Sequence, residues 1–380
     1  MDISYILNIL GEDRENYYNA VAPPIIQTSN FAFKTVEEFR KATKNELQSH
    51  LYTRGNNPTT EILRKKIAAL EATEDCLLFS SGVAAISAAI LNTVKNGDHV
   101  ICVESPYSWT AYLLKNITPQ YGITTTFVDG REIVNFENAI QPNTKLIFLE
   151  SPNTFWFDLQ DIKAVTDLAK KNKITTAIDN SYCTPLYQQP HLLGVDLICH
   201  TATKYLSGHS DVVAGVVCGS TEKIDSIFRN EYMTFGAVLS PHDAWLMLRG
   251  LRTLPLRLEQ SVLSTEKVIA HFEQHVKIEK IIYAYHPEHA QFELAQKQMK
   301  RGGGLFAMLL KTKDQNKIET FCNQLNRFLL AVSWGGYESL VFPACIKAGS
   351  DYPVNFVRFY IGLEDADVLI ADIEQALANI

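Results

Sequence analysis

The sequence has no run of basic residues. Across 380 residues, 35 lysines and arginines stand against 42 aspartates and glutamates, a formal net charge of −7. The chain therefore lacks the footprint that a nucleic-acid backbone or an anionic membrane surface would attract, and small-molecule chemistry is expected instead. No secretory signal is expected, because Met1-Asp2-Ile3-Ser4-Tyr5 offers neither a basic segment nor a small-residue cleavage site. Cysteines number 7 and are scattered, with no C-x-x-C pair. That spacing excludes a zinc knuckle and a disulfide frame and sets the expectation of a reducing cytoplasm. The longest uncharged stretch, Cys76 to Val94, is interrupted by Ser80, Ser81, Gly82, Ser87 and Asn92. It reads as a buried strand, a turn and a buried helix rather than a membrane span. No internal repeat and no low-complexity tract is present.

What is there is a globular composition, 46% apolar and 20% charged. At roughly 150 residues per domain, this length suits two or three domains. Residues 1–50 read as an arm lying over something else, because Pro23 and Pro24 forbid helix and favour an extended path. From about Thr59 short apolar segments alternate with helical periodicity. Strands are expected at Cys76–Phe79, His99–Val103, Leu146–Leu149, Thr175–Ile178, Asp196–Cys199 and Val212–Val217, and helices at Glu61–Glu71, Val83–Val94 and Ile162–Lys171. This alternation implies a mainly parallel sheet covered on both faces, a large α/β domain over 51–235. Beyond Met233 a long helical stretch from His242 towards His271, strands at Leu305–Leu310 and Val357–Leu363, and a closing helix over Asp365–Ala378 suggest a smaller α+β domain over 236–380.

Ligands of open α/β sheets sit at the carboxyl ends of the strands, so residues just past the expected strands are the candidates. Ser80-Ser81-Gly82-Val83 opens a helix, either as a phosphate site or as a plain serine-capped turn. Asp179 ends an apolar strand, facing a cation or forming a turn. Lys204 lies among hydroxyls in His200-Thr201-Ala202-Thr203-Lys204-Tyr205, as a Schiff-base lysine or as a solvated surface residue. Tyr107 follows the His99–Val103 strand, as a lid on a flat cofactor or as packing. Together these are the parts that pyridoxal 5′-phosphate requires: a phosphate cup, a carboxylate for the pyridine nitrogen, an aromatic lid and an amine. None is specific alone; their order and strand-end placement are.

These residues, with Pro23-Pro24-Ile25, Tyr52-Thr53-Arg54, Asn57-Pro58-Thr59, Ser81-Gly82-Val83-Ala84, Glu150-Ser151-Pro152, Asp179-Asn180, Ala202-Thr203-Lys204-Tyr205-Leu206, Gly208-His209-Ser210-Asp211 and Arg358 to Glu364, resemble the trans-sulfuration enzymes of Cys/Met metabolism over nearly the whole chain. The members most alike are cystathionine β-lyases and cystathionine γ-synthases. The resemblance implies pyridoxal-phosphate fold-type I, aspartate aminotransferase-like, with the cofactor pyridoxal 5′-phosphate. It makes Lys204 the cofactor-bearing lysine and proton shuttle, Asp179 the partner of the pyridine nitrogen and Tyr107 the stacking tyrosine, catalytic with Lys204 in protonating the departing sulfur. Gly82, Val83, Thr201 and Thr203 would hold the phosphate, while Tyr52 and Arg54 would reach the phosphate of a neighbouring subunit. A homo-oligomer is implied, with a dimer as the active unit and a tetramer as the assembly. Arg358, assisted by Ser333, would bind the substrate α-carboxylate, with Trp334 beside them in the substrate-binding set; locally, an arginine on a solvated strand face is the alternative.

Fold and cofactor do not choose the reaction. Ser333-Trp334-Gly335-Gly336-Tyr337-Glu338-Ser339-Leu340 resembles the bacterial β-lyases, in which a tryptophan follows the carboxylate-binding serine. Thr154-Phe155 stands where many γ-acting relatives have Asn-Pro, and Val332 where cystathionine-handling γ-enzymes carry an acid. Trp109 stands where methionine γ-lyases carry a reactive cysteine. Against these, the stretch between Val341 and Phe356 is short and lacks a histidine-containing segment of many relatives. The expectation is a carbon–sulfur lyase that cleaves cystathionine or a related sulfur amino acid by β-elimination. The alternative is γ-replacement on a homoserine ester, by a cystathionine γ-synthase or an O-acylhomoserine sulfhydrylase. A nicotinamide dehydrogenase is disfavoured, since no G-x-G-x-x-G follows the first strand. A non-catalytic pyridoxal-phosphate protein stays open and would be separated by activity on any thioether amino acid.

Overall fold

The computed structural model describes residues 1–346 and 352–380. The chain forms two compact units. One comprises Met1–Ser151, Gln160–Ser207 and Asp211–Arg252, and the other Pro152–Leu159, Gly208–Ser210 and Thr253–Ile380.

In the first unit the short apolar segments become β1 (Asp75–Phe79), β2 (His99–Val103), β3 (Thr124–Val128), β4 (Thr144–Glu150), β5 (Thr175–Asp179), β6 (Leu197–His200) and β7 (Gly215–Gly219). They make a 7-stranded sheet of order β1-β7-β6-β5-β4-β2-β3. Strands β2 to β6 are parallel, and β7 runs antiparallel to both neighbours. Side chains alternate between two buried faces. Leu77, Phe79, Cys102, Phe148, Ala177 and Cys199 enter one core with Ala85, Ile86, Ala89 and Ile90 of the Gly82–Thr93 helix. Strands covered on both sides need no polar alternation, which is why they read as continuous apolar runs. The strand β3 escaped the sequence analysis because it is an edge strand, Thr-Thr-Thr-Phe-Val, with little apolar content to mark it. The last strand begins later than expected. Ala214 instead exchanges hydrogen bonds with Thr203, its N–H donating to Oγ1 at 3.0 Å, so 212–214 brace the Lys204 loop.

The N-terminal segment belongs to this unit. Thr59 Oγ1 donates to Pro24 O at 3.0 Å, and Trp245 Nε1 donates to Pro23 O at 2.9 Å. Lys66 and Glu12, 1% and 0% exposed at their side chains, pair at 3.2 Å. A buried ion pair of this kind tolerates loss of neither partner.

The second unit carries β8 (Ile278–Ile282), β9 (Leu305–Leu310), β10 (Leu329–Leu330), β11 (Leu340–Pro343) and β12 (Phe356–Tyr360) in a 5-stranded sheet of order β10-β11-β12-β9-β8. Val357, Phe359 and Ile361 join Val268, Phe272, Leu369 and Ile373 in its core. The long helix expected from His242 is two helices, Pro241–Arg252 and Leu254–Phe272. Pro255, near the start of the second, has no N–H to donate and its ring collides with the carbonyl four residues back, so the first helix stops at Arg252.

Candidate active site

Strands β4, β5 and β6 end side by side, with Glu150 opposite Asp179 and Asp179 opposite Cys199. Asp179 is buried, and burial raises its carboxyl above the usual carboxylate range, opposed by Ser181 hydrogen bonds and by the charges of His200 and Lys204. The Ser181 N–H donates to Asp179 Oδ1 at 2.9 Å, and the Ser181 hydroxyl donates to the same oxygen. That hydroxyl in turn accepts the Thr201 N–H at 2.6 Å. One serine thus links the acid at the end of β5 to the loop that carries Lys204. The loop closes on itself, Lys204 N–H donating to Thr201 O at 3.1 Å and Ser207 N–H to Ala202 O at 3.0 Å.

The turn after β1 approaches the same loop. Ser81 caps the Gly82–Thr93 helix, its hydroxyl accepting the Ala84 N–H at 3.2 Å. A Cβ on Gly82 would lie 2.2 Å from Thr201 Oγ1 and 2.8 Å from Thr201 Cβ, so no other residue fits while the backbone stays in place. A Cβ on Gly215 would meet Ser81 O at 2.1 Å. The helix N-terminus and Thr201 are therefore pressed together, and unpaired amide groups there favour an anion. Gly82→Ala is expected to push these segments apart at a cost of about 1–3 kcal/mol. Thermal melting with and without added pyridoxal 5′-phosphate checks this, the cofactor's stabilising effect being the part that shrinks.

Tyr107 follows β2, its N–H donating to Glu150 Oε2 at 2.6 Å. Burial, then Asp179, then Glu150 push its phenol above the ordinary value. The structure thus brings Gly82, Asp179, Tyr107, Thr201, Thr203 and Lys204 to one end of the sheet, with Val83 in the first turn of the adjoining helix. Tyr52 and Arg54 lie in the segment before the Pro58–Leu70 helix. Both are exposed, the guanidinium carbon lies 5.4 Å from the Tyr52 ring centroid, and they line a groove of about 350 Å³ with Gln27, Thr28, Ser29 and Val238.

The second unit holds the other candidates. Arg358 in β12 is 6% exposed, so the solvated-face alternative is excluded. Its guanidinium carbon lies 4.5 Å from the Phe155 ring centroid and 5.3 Å from that of Phe342, its neighbour in β11. Nη1 donates to Thr154 O at 3.4 Å. Among the described residues no carboxylate pairs with it, and burial pulls it down to about 10. Phe155 is presented by a turn in which Asn153 Oδ1 accepts the N–H groups of Trp156 and Phe157 at 3.0 and 2.9 Å. Ser333 adopts φ +83°, a strained conformation for a residue with a side chain, of the kind found at functional sites. Trp334 beside it is buried and Val332 is exposed. The Ser333–Leu340 loop is pinned where Ser339 donates to Glu364 and Tyr360 Oη donates to Gly336 O at 2.8 Å. Of the shortened 341–356 stretch, 347–351 lie outside the described residues.

Ser181 and Glu150 are further candidates to which no local motif in the sequence assigns a role. The signal for both was their position at the ends of β5 and β4.

A profile described as Cys/Met metabolism PLP-dependent enzyme matches residues 7–378. The chain belongs to this family. It is 38% identical over 376 residues to an L-methionine gamma-lyase of Treponema denticola, covering 96% of this chain and 94% of that protein. It is 36% identical to a putative cystathionine gamma-lyase 2 of Caenorhabditis elegans, covering 97% and 95%. The crystal structure of metB from Corynebacterium glutamicum superposes with a TM-score of 0.93 at 32% identity, over 100% of this chain and 98% of that one. This Cys/Met metabolism enzyme therefore has the fold-type I architecture and depends on pyridoxal 5′-phosphate. The site at the ends of β4, β5 and β6 fits that cofactor: a buried acid with no ion pair among the described residues, a lysine whose charge acts on it, and a glycine-tight cup at a helix N-terminus. No helix among the described residues is long and apolar enough to cross a membrane.

Proposed function

We propose that this enzyme is a carbon–sulfur lyase that cleaves a thioether amino acid by β-elimination, with L-cystathionine as the substrate to test first. The observation that carries the amino-acid substrate is Arg358, a buried guanidinium with no carboxylate partner among the described residues. A buried charge without a counter-ion is costly, and an α-carboxylate in fork geometry relieves it. Phe155 and Phe342 shield that pair from water, which strengthens it.

Bound pyridoxal 5′-phosphate supplies an electron sink for the pair released at the substrate Cα. Gly82, Val83, Thr201 and Thr203 would hold its phosphate, Asp179 would keep its ring nitrogen protonated, and Tyr107 would cover its ring. Lys204 Nζ takes the Cα proton and returns a proton to the departing sulfur, so one residue serves as base and then as acid. Ser333 assists Arg358 at the carboxylate. Tyr52 and Arg54, exposed in this chain, reach the phosphate of a second copy, so that a homodimer is the smallest working unit and a tetramer its assembly. With cystathionine and water the products are homocysteine, pyruvate and ammonia.

The β reading rests on Ser333-Trp334 and Val332. Trp334 is buried beside the strained serine, and Val332 is exposed and offers no charge to a distal amino group. A γ-elimination reading is favoured by the names of the relatives, several of which are L-methionine gamma-lyases. Incubating the yellow enzyme with L-cystathionine and measuring pyruvate, 2-oxobutanoate and free thiol separates them. Pyruvate with homocysteine is the expected result. 2-Oxobutanoate, or turnover only when a homoserine ester and a thiol are added together, overturns it in favour of γ-chemistry.

A further inference from the structure

Beneath the cofactor site lies a second, fully buried polar cluster that the proposed chemistry does not use. Side chains alternate along a strand, so where Glu150 and Asp179 face the site, the residues that follow them face away. His200, one past Cys199, falls on that same opposite side. There they meet Glu71, the residue that ends the Pro58–Leu70 helix. Glu71 Oε1 accepts from His200 Nε2 at 2.5 Å and from Asn180 Nδ2 at 2.8 Å. Gln188 completes the set, its Nε2 donating to Asn180 Oδ1 at 3.0 Å and to Ser151 O at 2.9 Å. Glu71 and His200 are 0% and 1% exposed.

We propose that Glu71 is a positioning residue that clamps the carboxyl ends of β5 and β6, through Asn180 and His200, and thereby sets the spacing of Asp179 from the Thr201–Lys204 loop. The spacing matters because Asn180 directly follows Asp179 and His200 directly precedes Thr201, and the single Ser181 residue bridges the two, from Asp179 Oδ1 to the Thr201 N–H. Among the described residues the β5–β6 ladder ends at Asp179 and Cys199, with one further bond from Asn180 N–H to Cys199 O at 2.9 Å. Strand β6 is held to β7 through His200, but the β5–β6 separation past this point rests on side chains. A polar clamp buried from water is strong while complete, and it leaves donors stranded once its centre is removed. The proposal rests on the reading that Asp179 and Lys204 hold the cofactor.

The test is equilibrium dialysis of the purified holoprotein against graded pyridoxal 5′-phosphate, with absorbance of the bound cofactor as the readout. Thermal melting is run alongside. Glu71→Ala and His200→Ala are each expected to weaken cofactor affinity by roughly 5- to 150-fold, the effect of stranding buried hydrogen-bond groups. The double variant should lose little more than either single one, since both act through one clamp. Glu71→Gln keeps an acceptor oxygen for both donors and should restore most of the affinity; it also serves if the alanine variants fold poorly. A merely structural role would lower melting temperatures equally with and without cofactor and leave affinity within twofold of the parent, and that result overturns the proposal. Asp179→Asn is the control. If it weakens binding while Glu71→Ala does not, the clamp alone is wrong; if neither variant changes affinity, the site reading falls and the clamp with it.

Discussion

Lys204→Ala is expected to lower kcat/KM on a thioether amino acid by at least about 10⁴-fold, the upper end of what proton transfer by one positioned group supplies. The change removes the group proposed both to take the Cα proton and to give one to sulfur. The turn that carries it should survive, because its bonds are made by backbone groups: Lys204 N–H to Thr201 O and Ser207 N–H to Ala202 O. Cooperative melting close to that of the parent, together with lost turnover and a shifted absorbance of the bound cofactor, is the predicted combination. Activity within tenfold of the parent would remove Lys204 from the chemistry.

The second large effect belongs to Arg358. Arg358→Leu keeps an apolar side chain against Phe155 and Phe342 but removes the buried cation proposed to meet the substrate carboxylate. Loss of one partner of a buried, hydrogen-bonded charge pair is expected to lower kcat/KM by on the order of 10²- to 10³-fold, mainly through KM. Lysine should rescue poorly, since it lacks the planar fork that both stacks on a ring and matches a carboxylate. The pH dependence has a definite sign. Burial pulls Arg358 down to about 10, and the carboxylate binds the charged form. KM should therefore stay flat near neutrality and rise as pH approaches 10. Initial rates over a pH series in parent and variant check this, and a variant with unchanged KM would place carboxylate binding elsewhere.

Much of the site was legible in the sequence because strand ends are locally marked. An apolar run that stops at an acid, as at Asp179, or at a serine-glycine turn, as at Ser81-Gly82, announces both the strand and what stands at its end. The helix Ile162–Lys171 and the strands His99–Val103 and Leu305–Leu310 fall at their expected bounds for the same reason. The Thr253 break was also within reach of the sequence, since Pro255 is incompatible with one continuous helix.

By itself the sequence determined a mainly parallel α/β unit followed by a smaller α+β one, the chemical inventory for pyridoxal 5′-phosphate, and the family. Each of these is written in periodicity or in the identity of residues close together in the chain. Only the tertiary structure decided which distant groups touch. Glu71 and His200 are 129 residues apart, Arg358 and Thr154 are 204 apart, and no local pattern marks either pair. Those contacts follow from strand order and register, which place β6 beside β5 and leave Arg358 under Phe155. Because side-chain pairing across a sheet depends on the path of the whole chain, the burial that raises the Asp179 carboxyl and lowers the Arg358 guanidinium exists only once the fold is complete.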